Sequence, residues 1–296
     1  MFPDFTPFNI PVSPSITIHG LHHGQGPPLL LLHGFPQNLL IWHILAPQLT
    51  SAYTVIALDL RGYGQSSKPP GGDNHGAYSK SVMAKDCVDV MEKLGHEQFY
   101  ICAHDRGARV AHKLCVNYPE KVRKAIFLDI APTLAMYDQT KFAFAKAYWH
   151  WFFLIQPSPL PESLMVANPK SWIENTMGGG YGIGLDAFDE EAVESYVKQI
   201  GDKDCVAGMC EDYRAAASVD LDESREDVEK GRKIKCPLQV LWGKKGVIES
   251  QFDALKEWRE VAEEGMVHGM SVDSGHYIPE ENPDIVLKHI KEFLKD

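Results

Sequence analysis

Phe99-Tyr100-Ile101-Cys102-Ala103-His104-Asp105-Arg106-Gly107-Ala108-Arg109 passes without a spacer from an apolar run into a helical pattern. Residues 99–103 read as a buried strand and 106–118 as the helix that follows. Small residues, Ala103 and Gly107, stand two before and two after Asp105. A tight strand–turn–helix elbow demands that spacing, because its backbone is strained, its neighbours pack closely and one side chain is lifted clear. Ala103 replaces the usual first glycine, and the lifted residue is Asp rather than Ser. Asp105 on its own could be a helix N-cap and nothing more, so the surroundings decide.

The same rhythm extends on both sides. Short apolar runs at 29–32, 54–58 and 125–128 read as buried strands, with a helix at 82–94. It returns late, with strands at 238–242 and 267–272 and a closing helix at 284–294. Strands alternating with helices imply a mostly parallel sheet covered on both faces. His33-Gly34-Phe35-Pro36 follows the first of these strands, where a backbone N–H of an oxyanion hole belongs. Asp59-Leu60-Arg61-Gly62-Tyr63-Gly64 follows the next, and Ser274-Gly275-His276-Tyr277 follows the last, where the catalytic His of this chain order falls. Four such matches in register outweigh the capping reading of Asp105.

From 132 to 217 there is no strand rhythm. Aromatics and prolines crowd residues 148–161, and Gly178-Gly179-Gly180-Tyr181-Gly182-Ile183-Gly184 follows. That run fails Gly-x-Gly-x-x-Gly in every register and follows no strand, so it reads as a lid loop rather than a phosphate cradle. The expected organisation is an α/β core of residues 1–131 and 218–296 with a helical cap of residues 132–217.

Acidic residues outnumber basic ones, 40 Asp+Glu against 29 Lys+Arg, for a formal charge of −11. This balance disfavours nucleic acid as a partner, since phosphate binding needs clustered Lys and Arg. No apolar run approaches the length of a membrane span, and the first residues lack the charged and apolar regions of a signal peptide. Cysteines at 87, 102, 115, 205, 210 and 236 form no Cys-x-x-Cys pair, and no His cluster completes a metal pattern. Free buried thiols in a reducing cytoplasm, without metal or cofactor, are the expectation.

The chain resembles the α/β-hydrolase superfamily over nearly its full length, and within it the haloacetate dehalogenases, fluoroacetate dehalogenases included. The residues that carry the resemblance are His33-Gly34-Phe35-Pro36-Gln37, His104-Asp105-Arg106-Gly107-Ala108-Arg109, Tyr148-Trp149-His150-Trp151, Asp212-Tyr213-Arg214-Ala215 and Gly275-His276. A carboxylate at the elbow suits displacement at a saturated carbon. Asp105 would expel halide and form an alkyl ester, which water activated by His276 would hydrolyse. The oxyanion of that step would meet the backbone N–H groups of Phe35 and Arg106. Asp-nucleophile relatives that open epoxides or act on haloalkanes usually carry Trp after the nucleophile, whereas here Arg106 stands there. Arg109, three residues on, shares its helix face. A buried guanidinium pair calls for an anion, and a substrate carboxylate would satisfy it. Pairing of Arg106 with an acid of the chain itself is not expected.

The acid that orients His276 could follow either of two strands. Gly246 stands where many relatives place Asp, leaving Glu249 as a poor substitute, and Asp129 ends the strand at 125–128. Asp129 is the expected third member, holding the imidazole tautomer. The resemblance, not the spacing, groups His150, Trp151 and Tyr213 as N–H and O–H donors for the leaving halide. The expected substrate is a short 2-haloacid and the products are halide and a 2-hydroxy acid. Homodimerisation is a family expectation. The alternatives are an epoxide hydrolase, with Tyr213 and either Tyr148 or Tyr181 protonating the epoxide oxygen, and a non-catalytic ligand-binding protein of the same fold.

Overall fold

A computed structural model of the chain describes residues 1–180 and 184–295. Eight strands make one sheet: β1 (Thr6–Ser13), β2 (Ile16–His23), β3 (Pro28–Leu32), β4 (Thr54–Leu58), β5 (Phe99–His104), β6 (Val122–Leu128), β7 (Leu238–Gly243) and β8 (Val267–Val272), ordered β1-β2-β4-β3-β5-β6-β7-β8. Strands β3 to β8 pair in parallel, whereas β2 runs antiparallel to β4 and β1 antiparallel to β2.

The apolar runs are continuous because both faces are covered. Along β3, Leu29 and Leu31 join one core cluster with Val55, Tyr100, Cys102 and Ile126. Leu30 and Leu32 point the other way, into a second cluster with Ile56, Ile101, Ala103 and Phe127. That alternation is the period of two of any strand, with both phases apolar. On one face lie α1 (Lys80–Lys93) and α2 (Arg106–Asn117), which contribute Met83, Met91, Val110 and Leu114. The closing helix near the C-terminus contributes Val286, Leu287 and Ile290 to the other.

The β1–β2 hairpin was not anticipated from the sequence. Pro7 and Pro11 lie within β1, which pairs only with β2. Proline removes a ladder donor and is tolerated on an edge strand, so this proline-bearing segment can form the edge of the sheet.

Between β6 and β7 every regular element among the described residues is helical: α3 (Thr133–Asp138), α4 (Phe142–Ala147), α5 (Trp149–Leu154), α6 (Leu160–Ala167), α7 (Pro169–Asn175), a π turn (Thr176–Gly180), a short 3-10 turn (Leu185–Ala187), α8 (Glu190–Gly201), α9 (Lys203–Ala216) and α10 (Val219–Glu229). Tyr181, Gly182 and Ile183 of the glycine-rich run lie outside the described residues. The remaining helices are α11 (Val247–Gln251), α12 (Ala254–Glu260), α13 (Ile278–Glu281) and α14 (Pro283–Phe293). All six cysteines are free and buried. Among the described residues, no helix is long and apolar enough to cross a membrane.

The connection after β3 leads to β4 on one side, while β5 lies on the other. Open α/β sheets bind ligands at such a switch point, beyond the carboxyl ends of the strands. His33 to Phe35 and Asp105 meet there.

Candidate active site

Asp105 sits at the junction of β5 and α2 with φ +44° and ψ −113°, a conformation that L residues rarely adopt. Its side chain makes no capping hydrogen bond to α2. Instead Oδ1 accepts from the backbone N–H of Phe35 at 3.0 Å. The glycines around it are sterically required. A Cβ on Gly34 would stand 2.5 Å from the Cβ of Asp105, and one on Gly107 would stand 2.4 Å from the His33 carbonyl oxygen. The loop after β3 is thereby pressed against the elbow. His33 fixes it further: Nδ1 donates to the Gly34 carbonyl at 2.9 Å and Nε2 accepts from Leu60 N–H at 3.0 Å.

His276 follows β8 and lines the same cavity as Asp105. Its Nδ1 lies 2.6 Å from Asp129 Oδ2, and Asp129 Oδ1 accepts from Gly243 N–H at 2.8 Å. Asp129 also has a left-handed backbone, φ +49°. A side chain at position 246 would meet this carboxylate, its Cβ 3.2 Å from Asp129 Oδ1. The two positions where an acid could stand therefore adjoin. Glu249 is directed elsewhere and accepts from the Trp242 indole.

The charges match the geometry. Burial alone would raise the Asp105 carboxyl, but His276, His104, Arg106 and Arg109 outweigh it and hold the group below the ordinary carboxylate range. Burial alone would lower His276, but the hydrogen bond and charge of Asp129, with Asp105 beyond, raise it above the usual imidazole value. His150 is pushed down to about 3, mainly by burial, so it is neutral at physiological pH and keeps one N–H.

The cavity is small and is lined by Phe35, Asp105, Tyr148, His150, Thr176, Tyr213, His276 and Tyr277. Phe35 joins core to cap: its ring stacks on His150 at 5.8 Å and meets the Tyr213 ring edge-on at 5.3 Å. Trp151 packs behind Tyr213, ring centres 6.3 Å apart, and its buried indole nitrogen has no hydrogen-bond partner among the described residues. Of the two expected cap tyrosines besides Tyr213, Tyr148 lines the cavity, and Tyr181 lies outside the described residues.

The arginines require a correction. Arg106 was expected to face only a substrate, yet it pairs with an acid of the chain. Its Nε donates to Asp212 Oδ2 at 2.8 Å, and its Nη2 to Asp212 Oδ1 and to the Asp212 carbonyl, also at 2.8 Å. Lys80 pairs with Asp212 from the other side and reaches Asp220 at 3.1 Å, and Tyr63 donates to Asp212 Oδ2 at 2.8 Å. A fully buried guanidinium is too costly to leave without a counter-ion, and Asp212 on α9 supplies it. Among the described residues, only Nη1 of Arg106 remains without a partner. Arg109 donates from Nη1 to Thr133 Oγ1 at 2.7 Å and lies over the Trp151 ring at 4.5 Å, with its Nε left without a partner. Neither arginine lines the cavity. Arg106 lies over the Tyr213 ring at 4.2 Å, directly behind the wall.

Asp212 was quoted within a motif but given no role by the sequence, and Lys80, Tyr63 and Thr133 were missed. Their partners are 24 to 149 residues distant in the chain, so no local pattern announces them. Gln37 and Gln199 are further examples. Gln37 and Tyr196 both donate to buried Glu280, and Gln199 of α8 donates to the Pro36 carbonyl at 2.8 Å, fastening α8 to the loop after β3. Among the described residues, no group of His, Cys, Asp or Glu converges to hold a metal ion.

Residues 27–283 match the alpha/beta hydrolase fold family, and the chain is a member of that class of hydrolases. Within it the chain belongs to the haloacetate dehalogenase family: it is 40% identical to a fluoroacetate dehalogenase from Burkholderia sp, over 95% of this chain and 91% of the relative. It is also 29% identical to a soluble epoxide hydrolase from Corynebacterium sp. (strain C12), over 94% and 93% of the two chains. A crystal structure of a putative alpha/beta hydrolase from Nostoc sp PCC 7120 superposes with a TM-score of 0.96 at 46% identity, covering 100% of this chain and 99% of that one.

Proposed function

We propose that the protein is a hydrolytic dehalogenase of short 2-haloacids, converting haloacetate, fluoroacetate included, to glycolate and halide. The observation that carries this reading is the charge arrangement around one small cavity. A carboxylate held ionised faces a His–Asp pair, and two buried guanidinium groups each keep a nitrogen without a partner close behind the wall.

Asp105 is the nucleophile. One of its oxygens attacks the carbon bearing the halogen, with inversion, and the carbon–halogen bond breaks. The N–H groups of His150 and Trp151 and the O–H of Tyr213 receive the departing halide, whose charge develops in a buried site. Arg106 and Arg109, behind the Tyr213 and Trp151 rings, draw the substrate carboxylate by their charge. His276 then takes a proton from water, the resulting hydroxide adds to the Asp105 carboxyl carbon, and the oxyanion meets the N–H groups of Phe35 and Arg106. The Phe35 N–H already contacts Oδ1 of the resting carboxylate. The Arg106 N–H opens α2, where no preceding carbonyl claims it. Asp129 holds the His276 tautomer and stabilises its protonated form.

The cavity leaves only about 10 Å³ for the centre of a water-sized sphere, roughly room for one water, which favours the smallest acids. The test is halide release from fluoro-, chloro- and bromoacetate beside a 2-halopropionate. Release from the haloacetates is expected, with the bulkier acid slower. Absence of halide from all of them would overturn the reading.

A further inference from the structure

We propose that Lys80, buried outside the pocket, is a positioning residue that sets specificity: by pairing with Asp212 it offsets the charge with which Asp212 screens Arg106, and so gives the pocket its preference for an anionic over an uncharged ligand. This deepens the haloacid reading and rests on it, since the Arg106 charge is taken to serve a substrate carboxylate.

The starting point is a conflict at Arg106. Three hydrogen bonds to Asp212 fix its guanidinium behind the Tyr213 ring. The same carboxylate, at contact distance, cancels much of the field that the guanidinium sends into the pocket. The group that aims the arginine therefore works against the attraction it exerts.

Lys80 resolves the conflict. It opens α1 and is only 1% exposed. Its Nζ pairs with Asp212 Oδ1, the oxygen that Arg106 Nη2 also uses, and donates to the carbonyls of Tyr78 at 3.2 Å and Asp212 at 3.3 Å. One carboxylate thus faces two cations, and the three groups together carry a net positive charge.

Asp220 on α10 moderates that charge. Its Oδ2 lies 3.1 Å from Lys80 Nζ, and its Oδ1 accepts from the Lys80 backbone N–H at 2.8 Å. Among the described residues no ion pair joins Asp220 to Arg106. Arg106, Asp212, Lys80 and Asp220 therefore follow one another by contact with alternating sign, and the positive end stands behind the pocket wall. Coulomb interactions weaken with distance, so Lys80 strengthens the pull on an anion and Asp220, one step further out, reduces it by less.

Holding cap to core does not call for the outer pair. Asp212 already takes both arginine nitrogens, and Tyr63 donates to its Oδ2. Buried ion pairs contribute little net stability compared with apolar residues of similar volume, so two further buried charges need a reason other than cohesion.

The test measures binding of acetate and acetamide, which share size and differ in charge, by NMR titration. It uses wild type, Lys80→Met, Asp220→Asn and the double variant, with KM and kcat for chloroacetate on the same preparations. Wild type is expected to favour acetate. Lys80→Met should weaken acetate binding and raise KM on the order of 10-fold, the scale of one unit charge acting through a partly screened interior. Acetamide binding and kcat should move much less. Asp220→Asn, which keeps an oxygen for the Lys80 N–H, should act in the opposite direction and tighten acetate binding about 2–5-fold. The double variant loses one charge of each sign and should lie between the two. Shifts of both single variants in the same direction, or equal shifts for acetate and acetamide, would show a merely structural role and overturn the proposal. So would a wild type that binds both ligands equally. If wild type releases no halide from chloroacetate, the haloacid reading falls, and the acetate–acetamide comparison still decides the role of Lys80. Should Lys80→Met fail to fold, Asp220→Asn decides, and acetate binding weakened or unchanged in it would overturn the proposal.

Discussion

The floor and the roof of the pocket are built by different physics. On the floor, Asp105 and Asp129 are aimed by the backbone: both have left-handed φ, both end parallel strands, and Gly34 and Gly107 leave no alternative path for the chain. On the roof, His150, Trp151 and Tyr213 are aimed by packing and by one buried ion pair. The Arg106–Asp212 bond ties α2 of the core to α9 of the cap, one residue before Tyr213. Geometry set by the backbone tolerates little change. Geometry set by a side-chain pair can be loosened without dismantling the sheet.

This contrast can be broken in stages. The largest effect is expected from Asp105→Asn, which keeps shape and removes the proposed nucleophile. Halide release should drop on the order of 10⁶-fold, as when other covalent nucleophiles are removed, with the melting temperature little lowered. Next comes Asp212→Asn, which leaves the Arg106 charge buried and uncompensated. A loss of about 3–5 kcal/mol in denaturant unfolding is expected, together with a higher KM for haloacetate as Arg106 loses its fixed position. An unchanged denaturation midpoint would show that the roof does not depend on this pair. A smaller cost, about 1–3 kcal/mol, is expected for Gly107→Ala, whose Cβ would press on the His33 and Leu32 carbonyls at 2.4 and 2.6 Å. Because the strain falls on the elbow, kcat should drop with it.

The subtlest expected change is in pH dependence. In the proposed mechanism His276 must be neutral to activate water, and its pKa is raised by Asp129 against the lowering effect of burial. The acid limb of kcat should therefore lie above the ordinary imidazole value, activity falling as pH drops through it. Asp129→Asn removes the raising charge and should move that limb to lower pH while reducing the maximum rate. A pH profile unmoved by the substitution would mean that Asp129 does not act on His276.

The same division explains what could be read in the chain beforehand. Strand positions, the elbow and the order of Asp105, Asp129 and His276 were legible because each leaves a local mark: an apolar run, a small residue at fixed spacing, an acid at a strand end. Gly246 was informative through what it lacks. The edge strand β1 left only a misleading mark, its prolines. The partner of Arg106 left none. Asp212 is 106 residues away, and nothing local distinguishes an acid that neutralises a buried arginine from one on a solvated helix. The expectation that Arg106 faces only substrate erred for that reason. Its logic, that the buried charge needs an anion, still holds for the two nitrogens left over.

The central claim is that Asp105 carries the substrate as an ester between two chemical steps. The most direct measurement is mass spectrometry of His276→Asn after exposure to haloacetate. A carboxymethyl adduct is expected on the peptide containing Asp105, accumulating because ester hydrolysis is slowed about 10²–10⁴-fold without its base. Unmodified Asp105 in that variant, while the wild type releases halide, would contradict it.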